Sequence, residues 1–186
     1  MNFSHDTELS LRSACALVNT DRVDGEQLGQ VAALDDFLTE WGWTGRRDRD
    51  DAELAAVHAL RTRLGAMWTL ARDEEAMVAE VNALLADTQA RPWLTRHAEL
   101  PDWHLHLADD QDPLARRMGA ETAMALADVI RDGELRRLKS CAAPDCDAVL
   151  IDLSRNRSRR FCDTGNCGNR QHVAAYRERR AQAGPA

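Results

Sequence analysis

Four cysteines near the C-terminal end, Cys141, Cys146, Cys162 and Cys167, constrain this chain more than any other feature. They follow the order C-x4-C-x15-C-x4-C. Two short pairs on either side of a fifteen-residue stretch let the backbone fold back and offer four thiolates to one tetrahedral cation, which is how structural Zn2+ is held. Two other uses of the same residues stand beside this one. Four thiolates also hold iron–sulfur clusters, and paired cysteines form disulfides in oxidising compartments. Five cysteines in 186 residues with no secretory signal point to a reducing cytoplasm, where thiols stay free. Zinc is therefore the expected metal. A closed four-thiolate site leaves no position for substrate, so its expected role is structural.

The residues between the cysteines suggest how they converge. Pro144 can fix a tight turn inside the first pair, and Gly165 and Gly168 permit close approach of backbone to sulfur around the second. Ala148-Val149-Leu150-Ile151 reads as a short strand, and Arg159-Arg160-Phe161 as a strand returning to the third cysteine. From Asn169 to Ala181 there is neither Gly nor Pro, so a helix is expected. Cys167 then sits at a helix N-terminus, where the dipole favours a thiolate. Knuckle, hairpin and helix in that order make a treble-clef-like plan.

Upstream, the apolar spacing is helical. Between Leu28 and Trp43, Val31, Leu34, Phe37, Leu38 and Trp41 share a face until Gly42 interrupts them. Asp50 or Asp51 can cap a helix running to about Arg72, and Asp73 to Leu85 makes another with acids in its first turn. Trp103-His104-Leu105-His106-Leu107 alternates with period two, which predicts a hairpin within Arg91 to Asp109 turning near Pro101-Asp102. Asp112-Pro113 opens a helix to about Ile130, and Leu135 to Leu138 is expected to enter the finger as a strand. The expected fold class is α+β: a mainly helical N-terminal domain with a short β-hairpin, residues 1–132, then a treble-clef-like zinc finger, residues 133–186. The second part is too short to build a core without its metal. No apolar run approaches the length of a membrane span, and a cytoplasmic location is expected.

The finger residues resemble those of a known family. Cys141-Ala-Ala-Pro-Asp-Cys146, then Asp152-Leu-Ser-Arg-Asn-Arg-Ser-Arg-Arg-Phe-Cys162, then Asn166-Cys167-Gly168-Asn169-Arg170 are similar to the CGNR zinc finger of bacterial proteins predicted to be stress-induced transcription regulators. The similarity covers residues 135–181. In that family a domain called ABATE precedes the finger, and Leu9 to Thr20, ending Ala16-Leu17-Val18-Asn19-Thr20, resembles its opening. Leu11-Arg12-Ser13-Ala14 departs from the more apolar stretch usual there. The resemblance implies a zinc-binding regulator, with DNA as the partner of the finger and a small-molecule or protein effector as that of the first domain.

Charge is divided in the same sense. Residues 1–130 carry a net −12 and residues 131–186 a net +5, the asymmetry expected when one part meets a polyanion. The candidate phosphate contacts are Arg155, Arg157, Arg159 and Arg160 in the loop before Cys162, with Arg170, Arg177 and Arg180 on the last helix. The competing reading is a finger that only stabilises structure or docks protein. Asp152 and Asp163 are near enough in sequence to pair with the loop arginines, and Arg170 belongs to the matched motif. No nucleophile elbow, phosphate-binding glycine loop or HExxH is present, so no enzyme is expected. His104 and His106 read as exposed residues alternating with core leucines. Cys15 reads as a small buried hydrophobe, and the five tryptophans as core with several able to line a pocket.

Overall fold

The apolar faces expected from the spacing are the ones that bury. In the computed structural model, which describes residues 3–97 and 100–182, the elements are α1 (His5–Asn19), α2 (Val31–Glu40), α3 (Asp51–Leu70), α4 (Glu74–Asp87), β1 (Trp93–His97), β2 (Leu100–His106), α5 (Leu114–Arg131), β3 (Leu138–Ser140), β4 (Val149–Ile151) and α6 (Cys167–Gln182). The 20-residue α3 is central and packs against α1, α2, α4 and α5. Its Leu54, Val57, Leu60, Leu64, Met67 and Trp68 are all buried, among Leu11 and Leu17 of α1, Met77 and Leu84 of α4, and Met118 and Leu126 of α5. Asp50 acts as the expected cap, and Asp73, expected inside the first turn, caps α4 instead; they accept the Glu53 and Ala76 N–H groups at 2.8 and 3.1 Å, and each cap contributes about 1 kcal/mol.

The connection between α2 and α3 is folded onto α5 by buried charge. Glu53 accepts from the Arg47 guanidinium at 2.9 and 3.1 Å and from the Asp48 and Arg49 N–H groups at 3.0 Å. The buried Arg117 of α5 donates to the carbonyls of Arg46 at 2.7 Å, Asp112 at 3.1 Å and Thr44. Gly45 has φ +85, and a Cβ there would stand 2.8 Å from the Asp110 carbonyl. Only glycine suits so close an approach. Just before this clamp, Trp43 Nε1 donates to Ser13 Oγ of α1 at 2.9 Å.

β1 and β2 are antiparallel, from Trp93 opposite His106 to His97 opposite Leu100, with a bulge between Thr95 and His97. β2 begins at Leu100, so Pro101 and Asp102, expected at the turn, lie inside it. A two-stranded ribbon leaves alternate N–H groups outside its ladder, where proline is tolerated. His104 is buried rather than exposed, its ring 5.1 Å from that of His106.

The second hairpin differs from expectation in its partner. β4 pairs with Leu138–Ser140, not with Arg159–Phe161: Leu138 faces Ile151, Lys139 faces Leu150, and Ser140 faces Val149. The first cysteine pair is thus this hairpin's own turn. Arg159–Phe161 stays a coil that touches the hairpin turn through the Ala142 N–H to Arg160 carbonyl bond at 2.8 Å. Leu135 to Arg137 form a 3-10 turn, and the strand begins only at Leu138.

Alternation along β4 divides its side chains between two clusters. Val149 and Ile151 join the core built by the helices, whereas Leu150 packs with the cysteines. The outer edge of β4 is met by side chains. The Asn19 amide donates to the Val149 carbonyl at 2.9 Å and accepts its N–H at 2.8 Å, as a neighbouring strand would; Trp68 Nε1 adds a donor at 3.1 Å to the carbonyl of Leu150, the residue paired with Lys139 across the hairpin. The two Asn19 bonds satisfy buried backbone that an edge strand would otherwise leave open.

Candidate metal centre and basic surface

Cys141 follows β3, Cys146 precedes β4, Cys162 ends the intervening loop and Cys167 begins α6. Their four sulfurs all lie within 4.8 Å of one another; Cys162 Sγ is 3.7 Å from that of Cys146 and 3.6 Å from that of Cys167. Tetrahedral zinc with bonds of about 2.3 Å holds its sulfurs about 3.8 Å apart, whereas a disulfide needs about 2.05 Å. The spacing fits a shared cation. Cys141, Cys162 and Cys167 are buried. A Cβ on Gly165 would meet Cys167 Sγ at 3.0 Å, so this glycine lets the backbone close over the sulfurs. Gly168, expected to meet the same need, has only ordinary contacts with Phe161.

Burial pushes the Cys162 thiol up to about 12, against the Gly165 N–H and with the help of the neighbouring sulfurs. At Cys141, burial is outweighed by the N–H groups of Ala143 and Cys162, and the thiol moves down. Four thiolates so close repel one another, and a divalent cation is the charge that reconciles them. Arg170 reinforces this. Its guanidinium lies 3.1 Å from Cys167 Sγ and 3.0 Å from Asp145, tying the two cysteine turns together.

The loop from Asp152 to Arg160 is built inward. Asp152 is fully buried and accepts from the Lys139 ammonium at 2.6 Å, the Arg159 N–H at 2.8 Å, and the Ser154 N–H and hydroxyl. Burial alone would raise this carboxyl, but the ammonium and the other donors hold it at about 2. Lys139 also donates to the Arg157 and Arg159 carbonyls at 2.7 and 3.1 Å. Buried Glu134 collects Arg137 at 3.0 Å and Arg157 at 3.2 Å.

The seven arginines therefore fall into two groups. Arg157 is bound to Glu134, Arg159 to Asp163, and Arg170 to Asp145 and a cysteine sulfur. Arg155, Arg160, Arg177 and Arg180 are exposed, and none forms an ion pair with a described residue; Arg160 stands over the Phe161 ring at 5.8 Å. Asp152 takes its side-chain partner from Lys139 rather than from a loop arginine. Sequence reasoning misses Lys139, Glu134, Asn19 and Trp68, whose partners lie far along the chain. Cys15 is partly buried, its thiol pushed up to about 11 by burial, which suits an inert packing role.

On the helical body, a cleft of about 1020 Å³ opens between the first half of α1, the Trp41–Thr44 turn, the β1–β2 hairpin and α5. The helix α1 joins the two sites: its first half lines the cleft, and its last residue, Asn19, holds the finger. No helix among the described residues is long and apolar enough to cross a membrane.

Two family models match the chain. That of the CGNR zinc finger covers residues 137–180, and that of the ABATE domain, described as "Putative stress-induced transcription regulator", covers residues 11–133. A search of curated proteins finds no match. With the finger match and four converging sulfurs, the metal of this centre is zinc.

Proposed function

The chain belongs to the ABATE family, and we propose that it is a cytoplasmic transcription regulator whose zinc finger contacts DNA and whose helical body senses a small molecule. Zinc, when bound, supplies folding free energy and fixes the knuckle, in a treble-clef-like arrangement of hairpin turn, loop and α6. The division at 132/133 is then one of roles, readout on one side and sensing on the other.

The observation that carries the DNA reading is the set of exposed arginines, Arg155, Arg160, Arg177 and Arg180, with no acidic partner among the described residues, in a chain with more acids than bases. Free guanidinium groups suit phosphate oxygens. The test is a salt titration of duplex binding by fluorescence anisotropy. Replacing Arg155, Arg160 and Arg177 by Ala should weaken binding to all sequences and lower the salt slope by about 0.9 for each phosphate no longer neutralised. Unchanged binding in this triple variant would leave a finger that docks protein or only stabilises structure, a reading favoured by the internal ion pairs of Arg157, Arg159 and Arg170.

A further inference from the structure

We propose that the cleft between α1, the Trp41–Thr44 turn, the β1–β2 hairpin and α5 binds a small organic cation, an ammonium group carried on an apolar or aromatic body. The proposal gives the sensing reading its ligand class, and rests on that reading for its regulatory meaning.

Size and lining come first. Small-molecule sites usually enclose about 300–1000 Å³ and combine apolar walls with a few polar groups; this cleft is at the upper end. Trp41, Trp43 and Trp93 line it, and indole is the best aromatic face for a cation. Two of the indoles are held in place. Trp43 Nε1 donates to Ser13 Oγ at 2.9 Å, and the Trp93 ring meets the His106 ring edge-on at 5.8 Å. A rigid wall loses little freedom on binding.

Charge selects the ligand. The cations in the lining are already engaged: Arg117 by the Thr44, Arg46 and Asp112 carbonyls, and Arg131 by Asp128 at 3.3 Å. Asp6, Glu40 and Glu121 also line the cleft and make no hydrogen bond or ion pair with a described residue. The uncompensated charge is negative, so an anion would be repelled and a cation drawn in. A bare metal ion is a poor occupant, because among the described residues only the four cysteines bring three or more ligand atoms together. Dispersed acids facing fixed indoles suit a molecule that carries its charge on a body.

Glu121 is the counter-charge best placed to respond. Burial pushes its carboxyl up to about 7; Asp6 and Asp110 push it the same way, and Arg117 opposes them. His104 and His106 line the cleft from the hairpin. A bound ammonium group favours the ionised carboxylate and draws off the proton.

The experiment titrates benzyltrimethylammonium into the zinc-loaded full chain, following tryptophan fluorescence and heat, beside benzyl alcohol and phenylacetate as neutral and anionic counterparts. The expected result is saturable binding of the cation alone. It should weaken about tenfold or more in Glu121→Gln, and Trp93→Leu should weaken it severalfold, with zinc content unchanged in both. From pH 8 to pH 6 wild-type affinity should fall about tenfold, following ionisation of a carboxyl near 7, and the Gln variant should lose most of that dependence. Preference for benzyl alcohol or phenylacetate, no binding of the cation, or undiminished cation affinity in Glu121→Gln would each overturn the proposal. DNA affinity measured with and without the cation separates the two readings: binding as described with unchanged DNA affinity supports the site and removes the sensing role.

Discussion

The two ends of the zinc finger are built on opposite principles. The inner end, β3 and β4, puts Leu138, Val149 and Ile151 into the core of the helical body, has its open edge satisfied by Asn19 and receives a further donor from Trp68. The outer end, α6, buries little beyond Cys167: Val173 is 40% and Tyr176 55% exposed, and Arg177 and Arg180 face solvent. One end is held by the body and the other by the metal centre and the Arg170–Asp145 pair beside it. The metal therefore closes a turn in a hairpin that the body already holds, and a disturbance at the zinc has a path into the main core.

The largest expected effect tests that path. Cys162→Ser, or removal of zinc by a chelator, should unfold α6, since such sites lend about 10–16 kcal/mol of apparent affinity to folding. Because the hairpin shares the main core, the thermal midpoint of the body should fall as well. Circular dichroism with elemental analysis follows both. A body whose midpoint ignores chelation would mean that the inner end merely rests on the helices. A fragment ending at Ile130 sharpens the point, because loss of Leu138, Val149 and Ile151 uncovers apolar core. We expect it to lose cooperative unfolding; a sharp transition close to that of the full chain would restore an independent body.

Next in size come the polar ties of the inner end. Asn19→Ala strands the buried Val149 N–H and leaves its carbonyl only the weak Cys15 thiol donor at 3.4 Å, which should cost about 1–3 kcal/mol in urea denaturation. Asp152→Asn leaves the Lys139 ammonium without its charge partner and should cost on the order of 3 kcal/mol. The acid branch of the stability profile carries the sign. The folded carboxyl at about 2 lies below its ordinary value of 3.8, so its contribution is full above that value and disappears as pH falls through the folded one. The Asn variant should lack this part of the acid loss. An acid branch identical to that of wild type would show that Asp152 is not the group responsible.

On the outer side the effect should appear in binding rather than stability. Arg155→Ala and Arg177→Ala should lower the salt slope of DNA binding and leave the melting midpoint alone, because exposed arginines contribute little to folding. Arg157→Ala should do the reverse, since its guanidinium is tied to buried Glu134. If Arg157 and Arg155 behave alike, the division of the arginines into bracing and contacting groups is wrong.

How far the sequence is legible follows from how local each constraint is. The cysteine spacing points to the metal because both pairs are short and each carries its turn with it. Helical faces are legible for the same reason, as is the cap at Asp50. Strand pairing is not local: nothing in Arg159-Arg160-Phe161 reveals that Leu138–Ser140 takes its place beside β4. The arginines look alike in sequence because the groups that divide them, Glu134 and Asp145, come into reach only after folding. Asn19 belongs to the stretch resembling the ABATE opening, yet its task depends on a strand 130 residues away. Lys139, the chain's one lysine, has nothing in its neighbourhood to mark it; its three acceptors, on Asp152, Arg157 and Arg159, make it the post around which the loop is wound.

A separate effect is expected at the cleft, far along α1 from the finger, and it has the opposite pH sign to that of Asp152. The folded Glu121 carboxyl titrates at about 7, above its ordinary value of 4.5. Between these values the folded chain binds more protons than the unfolded one, so stability declines as pH rises through this window and levels off above 7. Glu121→Gln removes the cost of ionising a carboxyl in this setting. The difference in melting midpoint, variant minus wild type, should be near zero at pH 4.5, grow in favour of the variant through pH 7, and reach a plateau by pH 8. Zinc content should not change, because Glu121 lines a cleft to which none of the four cysteines belongs. A difference that is independent of pH would mean that Glu121 is ionised at its ordinary value in the folded chain, and the body would then differ from the finger only in lacking a metal, not in carrying a strained charge of its own.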